Sequence, residues 1–233
     1  MRLDLVERLR CPRPHAPTPL VVVASRVVER DLVQGVAGCP LCRAELCIED
    51  GDVWLGGRPT AHARAAGPRT PTNDAARRFR GDDAAVADAF DRLVALLGLA
   101  DPGGAVLLAG AYARHALPLA AHAEYSVVTL GDDASAPPPG EGHRRGLAVA
   151  AVRGVPGAVP FTDATFRGAA LGASLPSALV ADAVRCVMAG GRVVGAAALP
   201  LPDGVRELAR DDAEWVGERA APTPIVTLGR RGG

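Results

Sequence analysis

The feature that most restricts the fold is a series of short apolar runs in the second half of the chain. Each run alternates with a helical pattern, and the runs cover 105–109, 125–130, 147–152, 169–173 and 192–196. Runs of this length without polar alternation suit strands that are buried on both faces, as in a parallel sheet. Right-handed helical crossovers connect such strands. The sequence therefore predicts an α/β domain with a mostly parallel, Rossmann-like sheet.

The segments around these runs complete the predicted domain. A helix that Asp82 or Asp83 caps is expected to end at Gly98, and further helices are expected over 114–123, 178–188 and 205–210. The pair Gly190-Gly191 is expected to stop the helix before the fifth strand. Two final runs, 214–219 and 224–229, have a short connection and are expected to pair antiparallel. Nearer the N-terminus, two strands are expected over 20–24 and 26–33.

Composition limits the chemistry of the chain. All 26 basic residues are arginines, and 26 acidic residues balance them. The absence of lysine excludes Schiff-base chemistry and a P-loop lysine. A net charge of zero provides no overall field for nucleic acid or membranes. We find neither a signal-peptide pattern nor an apolar run that would span a bilayer, so a cytoplasmic protein without a membrane segment is expected.

Four of the five cysteines lie before residue 48, a clustering that favours metal binding over disulfides in a cytosolic chain. Cys39-Pro-Leu-Cys42 has the spacing of a zinc knuckle, and Cys11-Pro-Arg-Pro-His15 supplies a second pair of donors. The first choice of ligands for a structural zinc ion is therefore Cys11, His15, Cys39 and Cys42. Cys47 is the rival fourth ligand, and the alternative interpretation is a set of buried cysteines without a metal.

The cysteine-bearing segment resembles the Trm112-like zinc ribbons. The resemblance rests on Leu5-Val-Glu-Arg-Leu-Arg-Cys11-Pro12, on the second knuckle and on Cys47-Ile-Glu-Asp-Gly51. Pro14 stands where the family has its second cysteine, and His15 follows one place late. The resemblance implies a ribbon over 1–55 of a kind that often partners or activates methyltransferases. Residues 56–81 are rich in Gly, Pro, Ala and Arg and are expected to link it to a domain over 82–233.

The second part of the chain resembles class I S-adenosylmethionine-dependent methyltransferases. The resemblance rests on three stretches in the family's order: Val159-Pro-Phe-Thr-Asp-Ala-Thr-Phe166, Ala181 to Val194 and Glu214 to Gly229. It implies a methyltransferase-type Rossmann fold that ends in an antiparallel hairpin. It also implies a cofactor site where the first strand meets its helix.

The cofactor-binding positions depart from the family's pattern. In the loop that resembles Asp-x-Gly-x-Gly-x-Gly, Gly110 is retained, whereas Leu108 replaces the acid and Tyr112 and Arg114 replace two glycines. Asp132 comes one residue late for the acid that holds the ribose, and 153–158 contain no acid. The candidate cofactor-binding residues are Gly110, Tyr112 and Asp132, and the sequence indicates no catalytic residue.

Two functions follow from these observations. The first is a methyltransferase-like protein that has lost cofactor binding and serves as a scaffold or subunit in a protein or ribonucleoprotein assembly. It has a protein partner, with RNA as the alternative partner. The second is an active S-adenosylmethionine-dependent methyltransferase with a divergent loop, which would act on an unidentified small-molecule substrate.

Overall fold

A computed structural model describes residues 1–56, 83–132, 134–154 and 157–221. The N-terminal part contains helix α1 (Leu3–Val6) and strands β1 (Val21–Val28), β2 (Asp31–Gly38), β3 (Glu45–Glu49) and β4 (Asp52–Trp54). The remaining elements are α2 (Asp83–Leu97), β5 (Ala105–Ala109), a 3-10 helix (Gly110–His115), α3 (Ala116–Ala123), β6 (Ser126–Leu130), α4 (Glu141–Arg144), β7 (Val149–Arg153), β8 (Phe166–Leu171), α5 (Ser177–Arg185), β9 (Val187–Ala196), β10 (Val205–Arg210) and β11 (Glu214–Arg219). None of the helices in these ranges is long and apolar enough to cross a membrane.

The strands of the described residues form one sheet in the order β1-β2-β3-β4-β7-β6-β5-β8-β9-β11-β10. The pairs β4–β7, β7–β6, β6–β5, β5–β8 and β8–β9 are parallel. Strands β1 to β4 pair antiparallel in chain order, and β11 is antiparallel to both β9 and β10. The predicted α/β, Rossmann-like fold class is therefore confirmed, but antiparallel strands extend the parallel centre at both ends. The strands of the N-terminal module, which was predicted to precede the domain, join the same sheet. The strand order reverses at β5, and ligands of such sheets bind in the crevice at this kind of switch point.

Three predicted elements were wrong in type or in bounds. Residues 205–210 form the edge strand β10 rather than a helix, because β11 supplies backbone partners for them. The third predicted helix ends at Arg185, and Gly190-Gly191 lie inside β9, where a β-carbon at Gly191 would collide with the carbonyl of Arg167. The strands predicted over 20–24 and 26–33 are instead β1, which continues to Val28, and β2, which begins at Asp31 after a turn at Glu29. The predicted strand over 224–229 lies outside the described residues.

One apolar core extends across both parts of the chain. On one face of the sheet, Leu9, Leu32 and Ile48 of the N-terminal part pack in the same cluster as Phe161 and Phe166. The helices α2 and α3 cover the other face of the parallel strands with a second cluster. Because aromatic residues are scarce, most of this packing uses Val, Leu and Ala side chains.

A buried ion pair lies at the join between the two parts. Strand β4 pairs with β7, and the Asp52 carboxylate accepts hydrogen bonds from the Ala151 amide at 2.8 Å, the Gly140 amide at 3.1 Å and Arg153 Nε at 3.1 Å. Burial raises the pKa of Asp52, and the Arg153 charge opposes that shift. Arg153 also donates to the carbonyl oxygen of Pro137 at 2.6 Å. These bonds fix the register of β4 on the edge of the parallel sheet.

Replacing Arg153 with methionine should destabilise the whole fold, because it leaves the Asp52 carboxylate buried without its countercharge. Removing one partner of a buried pair costs about 3–5 kcal/mol. Urea denaturation measures the loss. The matched control is Arg145→Met, which removes an exposed ion pair to Glu141 and should change the free energy of unfolding little. Equal losses in the two variants would contradict the role of the buried pair.

Candidate functional site

The N-terminal part carries a cluster of one histidine and three cysteines. Cys11 and His15 lie on the loop before β1, and Cys39 and Cys42 lie on the turn after β2. Their ligand atoms all lie within 4.8 Å of one another. Cys47, the rival ligand, lies in β3 opposite Trp54 and does not belong to this group. The structure thus brings together the four residues of the first-choice set.

The spacing of the donor atoms fits a tetrahedral zinc ion. The sulfurs of Cys11 and Cys42 are 3.6 Å apart, and Nε2 of His15 is 3.1 Å from the Cys11 sulfur and 3.5 Å from the Cys39 sulfur. Typical zinc–ligand distances place tetrahedral ligands about 3.8 Å apart for two sulfurs and about 3.5 Å for sulfur and nitrogen. A disulfide needs sulfurs at about 2.05 Å. The cluster is compatible with a metal site, and its cysteines are free rather than disulfide-bonded.

Hydrogen bonds and burial orient His15 and shift the pKa values of Cys11 and Cys39 in opposite directions. His15 Nδ1 lies 2.7 Å from the Ala16 carbonyl oxygen, so this nitrogen is the donor and Nε2 faces the thiols. The same hydrogen bond raises the pKa of His15. Burial raises the pKa of Cys11 to about 11. For Cys39 burial acts in the same direction, but hydrogen bonds from the backbone of Cys42 and Leu41 outweigh it and lower the pKa to about 6, which favours the thiolate that binds metals.

The chain before Cys11 is bound to the Rossmann-like part. Leu9 forms a β-bridge with Phe161, and the Arg10 amide donates to the Pro160 carbonyl oxygen at 3.1 Å. The Arg10 guanidinium pairs with Asp182 at 3.2 Å, and the same carboxylate accepts from the Val159 amide at 2.6 Å. The cluster is therefore anchored to the segment that resembles the methyltransferases.

A cavity of about 350 Å³ lies at the carboxyl ends of the parallel strands, next to the switch point. Helix α2, the 3-10 helix and the residues after β8 surround it. Its polar and charged lining residues are Arg92, Tyr112, Arg114, His115 and Glu214. This volume is near the lower end of the range for small-molecule pockets.

The three predicted cofactor-binding residues do not meet in this cavity. Gly110 has a left-handed φ of +61°, and a β-carbon there would lie 3.1 Å from Cα of Gly172, so its backbone packs against the chain after β8. Asp132 accepts a hydrogen bond from the Gly154 amide at 2.8 Å and thereby joins the loops after β6 and β7. Among the three, only Tyr112 lines the cavity.

The Tyr112 side chain is held in a polar network. Its hydroxyl donates to Glu214 at 2.8 Å, and Arg92 contacts Glu214 at 2.5 Å and Asp211 at 2.6 Å. Burial raises the pKa of Tyr112, so the hydroxyl remains a donor. Sequence reasoning missed Arg92 and Glu214, because their 122-residue separation gives no local signal. The network fixes a bulky ring where the methyltransferase resemblance requires a glycine.

His115 is a buried histidine on the wall of the cavity. It is 3% exposed, and Arg114 Nε donates to its Nε2 at 3.1 Å. Burial lowers the pKa of His115 to about 4, and the positive charge of Arg114 acts in the same direction. The imidazole is therefore neutral at physiological pH.

Among known proteins, the chain is similar to solved structures but not to any family model or curated protein. No family model matches the chain, and no curated protein matches it. The structure of geranyl diphosphate C-methyltransferase from Streptomyces coelicolor A3(2) is 18% identical, with 57% of this chain and 53% of that chain covered and a TM-score of 0.42. The [4+2]-cyclase SpnF is 19% identical over 46% and 43%, with a TM-score of 0.40.

A putative sarcosine dimethylglycine methyltransferase from Galdieria sulphuraria is 16% identical over 50% of this chain and 48% of that chain, with a TM-score of 0.40. The chain thus spans about half the length of each of these proteins. The order and direction of its own strands, rather than these scores, define its fold class.

The pKa of His115 predicts a pH dependence of stability. The unfolded chain binds a proton near pH 6.5 and the folded chain only near pH 4, so stability should fall as the pH drops through this interval. His115→Gln should flatten that part of the profile in urea denaturation at stepped pH. His122→Gln, which changes an exposed histidine on α3, should leave it unchanged. A wild-type profile that is flat from pH 6.5 to 4 would contradict the assignment.

Proposed function

We propose that this chain is a methyltransferase-like protein that does not bind S-adenosylmethionine and acts as a non-catalytic subunit of a protein assembly. The observation that carries this proposal is the Tyr112 ring, held by Glu214 at 2.8 Å on the wall of the cavity beside the switch point. A cofactor loop needs bare backbone at such a position, because glycine lets the main chain approach its ligand.

The other replaced positions support the same proposal. Leu108, at the place of the family's acid, is fully buried and packs in the core beneath α2 and α3. A carboxylate there would require a partner that this apolar cluster does not offer. Asp132 bonds to the backbone of Gly154. The residues that depart from the family's pattern therefore make stabilising contacts of their own.

The alternative is an active methyltransferase with a divergent loop. The cavity of about 350 Å³ favours it, since it lies at the carboxyl ends of β5 and β8, where open α/β sheets bind ligands. In that case the Tyr112 ring would have to leave Glu214 before the methyl donor entered. The substrate would then be a small molecule that reaches the same edge of the sheet.

We further propose that Cys11, His15, Cys39 and Cys42 hold a structural zinc ion in a Trm112-like ribbon over residues 1–55, which 56–81 link to the domain over 82–233. Four protein ligands leave no position for a substrate, so the ion would serve folding and not catalysis. By holding Cys11 it would also hold Leu9 and Arg10 against Phe161 and Asp182. The ribbon would thus stabilise the domain over 82–233.

Calorimetry with S-adenosylmethionine tests the loss of cofactor binding. The wild-type chain should show no binding at millimolar ligand, because Tyr112 fills the required space. An active class I methyltransferase measured with the same ligand stock is the positive control. Binding in the micromolar range would contradict the proposal and favour the active enzyme.

Metal analysis tests the ribbon. The purified chain should contain one zinc ion, Cys39→Ser should lose it, and Cys47→Ser should retain it because Cys47 lies outside the cluster. The loss of a structural ion should lower the melting temperature of the whole chain, since metal-binding energy is folding energy. A metal-free, well-folded wild type would overturn the assignment, and zinc loss on Cys47→Ser alone would change the ligand set.

A further inference from the structure

The two edges of the sheet differ in how they are protected. At the β10 edge, Arg206 pairs with Glu218 at 3.1 Å and Arg210 with Glu207 at 2.7 Å. Charged edges of this kind discourage further strand pairing. The β1 edge has the sequence Val-Val-Val-Ala-Ser-Arg-Val-Val, with a single charged residue among eight. An apolar edge strand with unpaired backbone groups is a template for another strand.

Exposed apolar side chains continue from β1 onto the zinc knuckle. Val21 and Val23 are 62% and 66% exposed, and Val36, opposite Val23 on β2, is 39% exposed. Leu41, between the two knuckle cysteines, is 63% exposed. Val21 lies opposite Gly38, the residue before Cys39, so the exposed valines lead along the sheet towards the turn that carries Leu41. We call Val21, Val23, Val36 and Leu41 the valine strip.

Three arginines without acidic partners among the described residues lie on β1 and on the two loops of the Cys/His cluster. Arg26 is exposed on β1, and Arg13 and Arg43 line a cleft of about 430 Å³ beside His15 and Cys42. Within the described ranges, none of these three guanidiniums forms an ion pair or a side-chain hydrogen bond. The arginines of the β10 edge, in contrast, are paired. Among the described residues, the β1 edge therefore has no further strand paired with it, and it combines apolar side chains with arginines that have no acidic partner.

We propose that the β1 edge binds an extended acidic segment of a partner protein, in which apolar and acidic side chains alternate. The proposal rests on the proposed role as a subunit. The segment would pair with the regular stretch Val21–Ala24, which precedes the bulge before Arg26. Backbone hydrogen bonds provide the affinity of such added strands, and side chains provide the specificity. The apolar side chains would cover the valine strip, and the acidic side chains would supply the negative charge that Arg13, Arg26 and Arg43 lack among the described residues.

Other occupants fit this edge less well. Single-stranded nucleic acid needs aromatic side chains for stacking, whereas only 3% of the chain is aromatic and its net charge is zero. A second copy of the chain would bring the same arginines to the edge rather than the carboxylates they lack. An acidic, extended protein segment supplies both missing components.

Fluorescence anisotropy with the full chain and a labelled ten-residue peptide of alternating valine and glutamate tests the proposal. We expect saturable binding that weakens as sodium chloride is raised. The double variant Arg26→Glu, Arg43→Glu should weaken it about tenfold, since each exposed charge pair contributes modestly. The matched control, Arg206→Glu with Arg210→Glu on the β10 edge, should leave the affinity unchanged. A peptide with alternate amides N-methylated should not bind.

Several results would overturn the proposal. The peptide results are no binding at millimolar peptide, equal affinity for a valine–lysine peptide, and equal weakening in the two double variants. The results that would indicate another occupant are binding of a uridine-rich RNA oligonucleotide in place of the peptide, and a dimer in sedimentation that Val23→Glu dissociates. Calorimetry with S-adenosylmethionine is an independent readout, so a failed peptide experiment is distinguishable from a failure of the proposed loss of cofactor binding.

Discussion

The parallel pairing of β4 with β7 is the constraint on which the rest of the structure depends. A segment of about 55 residues is only marginally stable alone, because it buries a smaller fraction of its surface on folding than a larger domain does. By adding its strands to the edge of the Rossmann-like sheet, the N-terminal part shares one apolar cluster with Phe161 and Phe166. The Asp52–Arg153 pair at the join specifies the register, since a slip would leave both charges buried without hydrogen bonds.

This continuity has a consequence for the Cys/His cluster. A zinc ribbon on a flexible tether would influence only its own folding. Here Cys11 follows directly on Leu9 and Arg10, which bind Phe161 and Asp182. A metal bound at Cys11 would therefore restrict the Val159–Phe161 segment as well. The cluster, the segment and helix α5 belong to one set of contacts, and the proposed structural ion would stabilise the Rossmann-like part through them.

The predictable features of this chain are those that depend on local pattern. The central strands were predictable because burial on both faces leaves apolar runs. The grouping of the four Cys and His side chains was predictable because Cys-x2-Cys and Cys-x3-His bring donors together within short loops. Strand β10 was not, since only its pairing with β11 decides between strand and helix. The contacts of Arg92 with Glu214 and of Asp52 with Arg153 were not predictable either, because each joins residues about a hundred positions apart.

Native-state hydrogen exchange tests most directly whether the N-terminal strands and the parallel sheet form one cooperative unit. Amides in β2 and β3 should open with the same free energy, and the same dependence on urea, as amides in β5 and β6, because global unfolding is their shared route to exchange. A lower opening free energy confined to β2 and β3 would contradict the account, since the N-terminal part would then unfold while the parallel sheet remained intact.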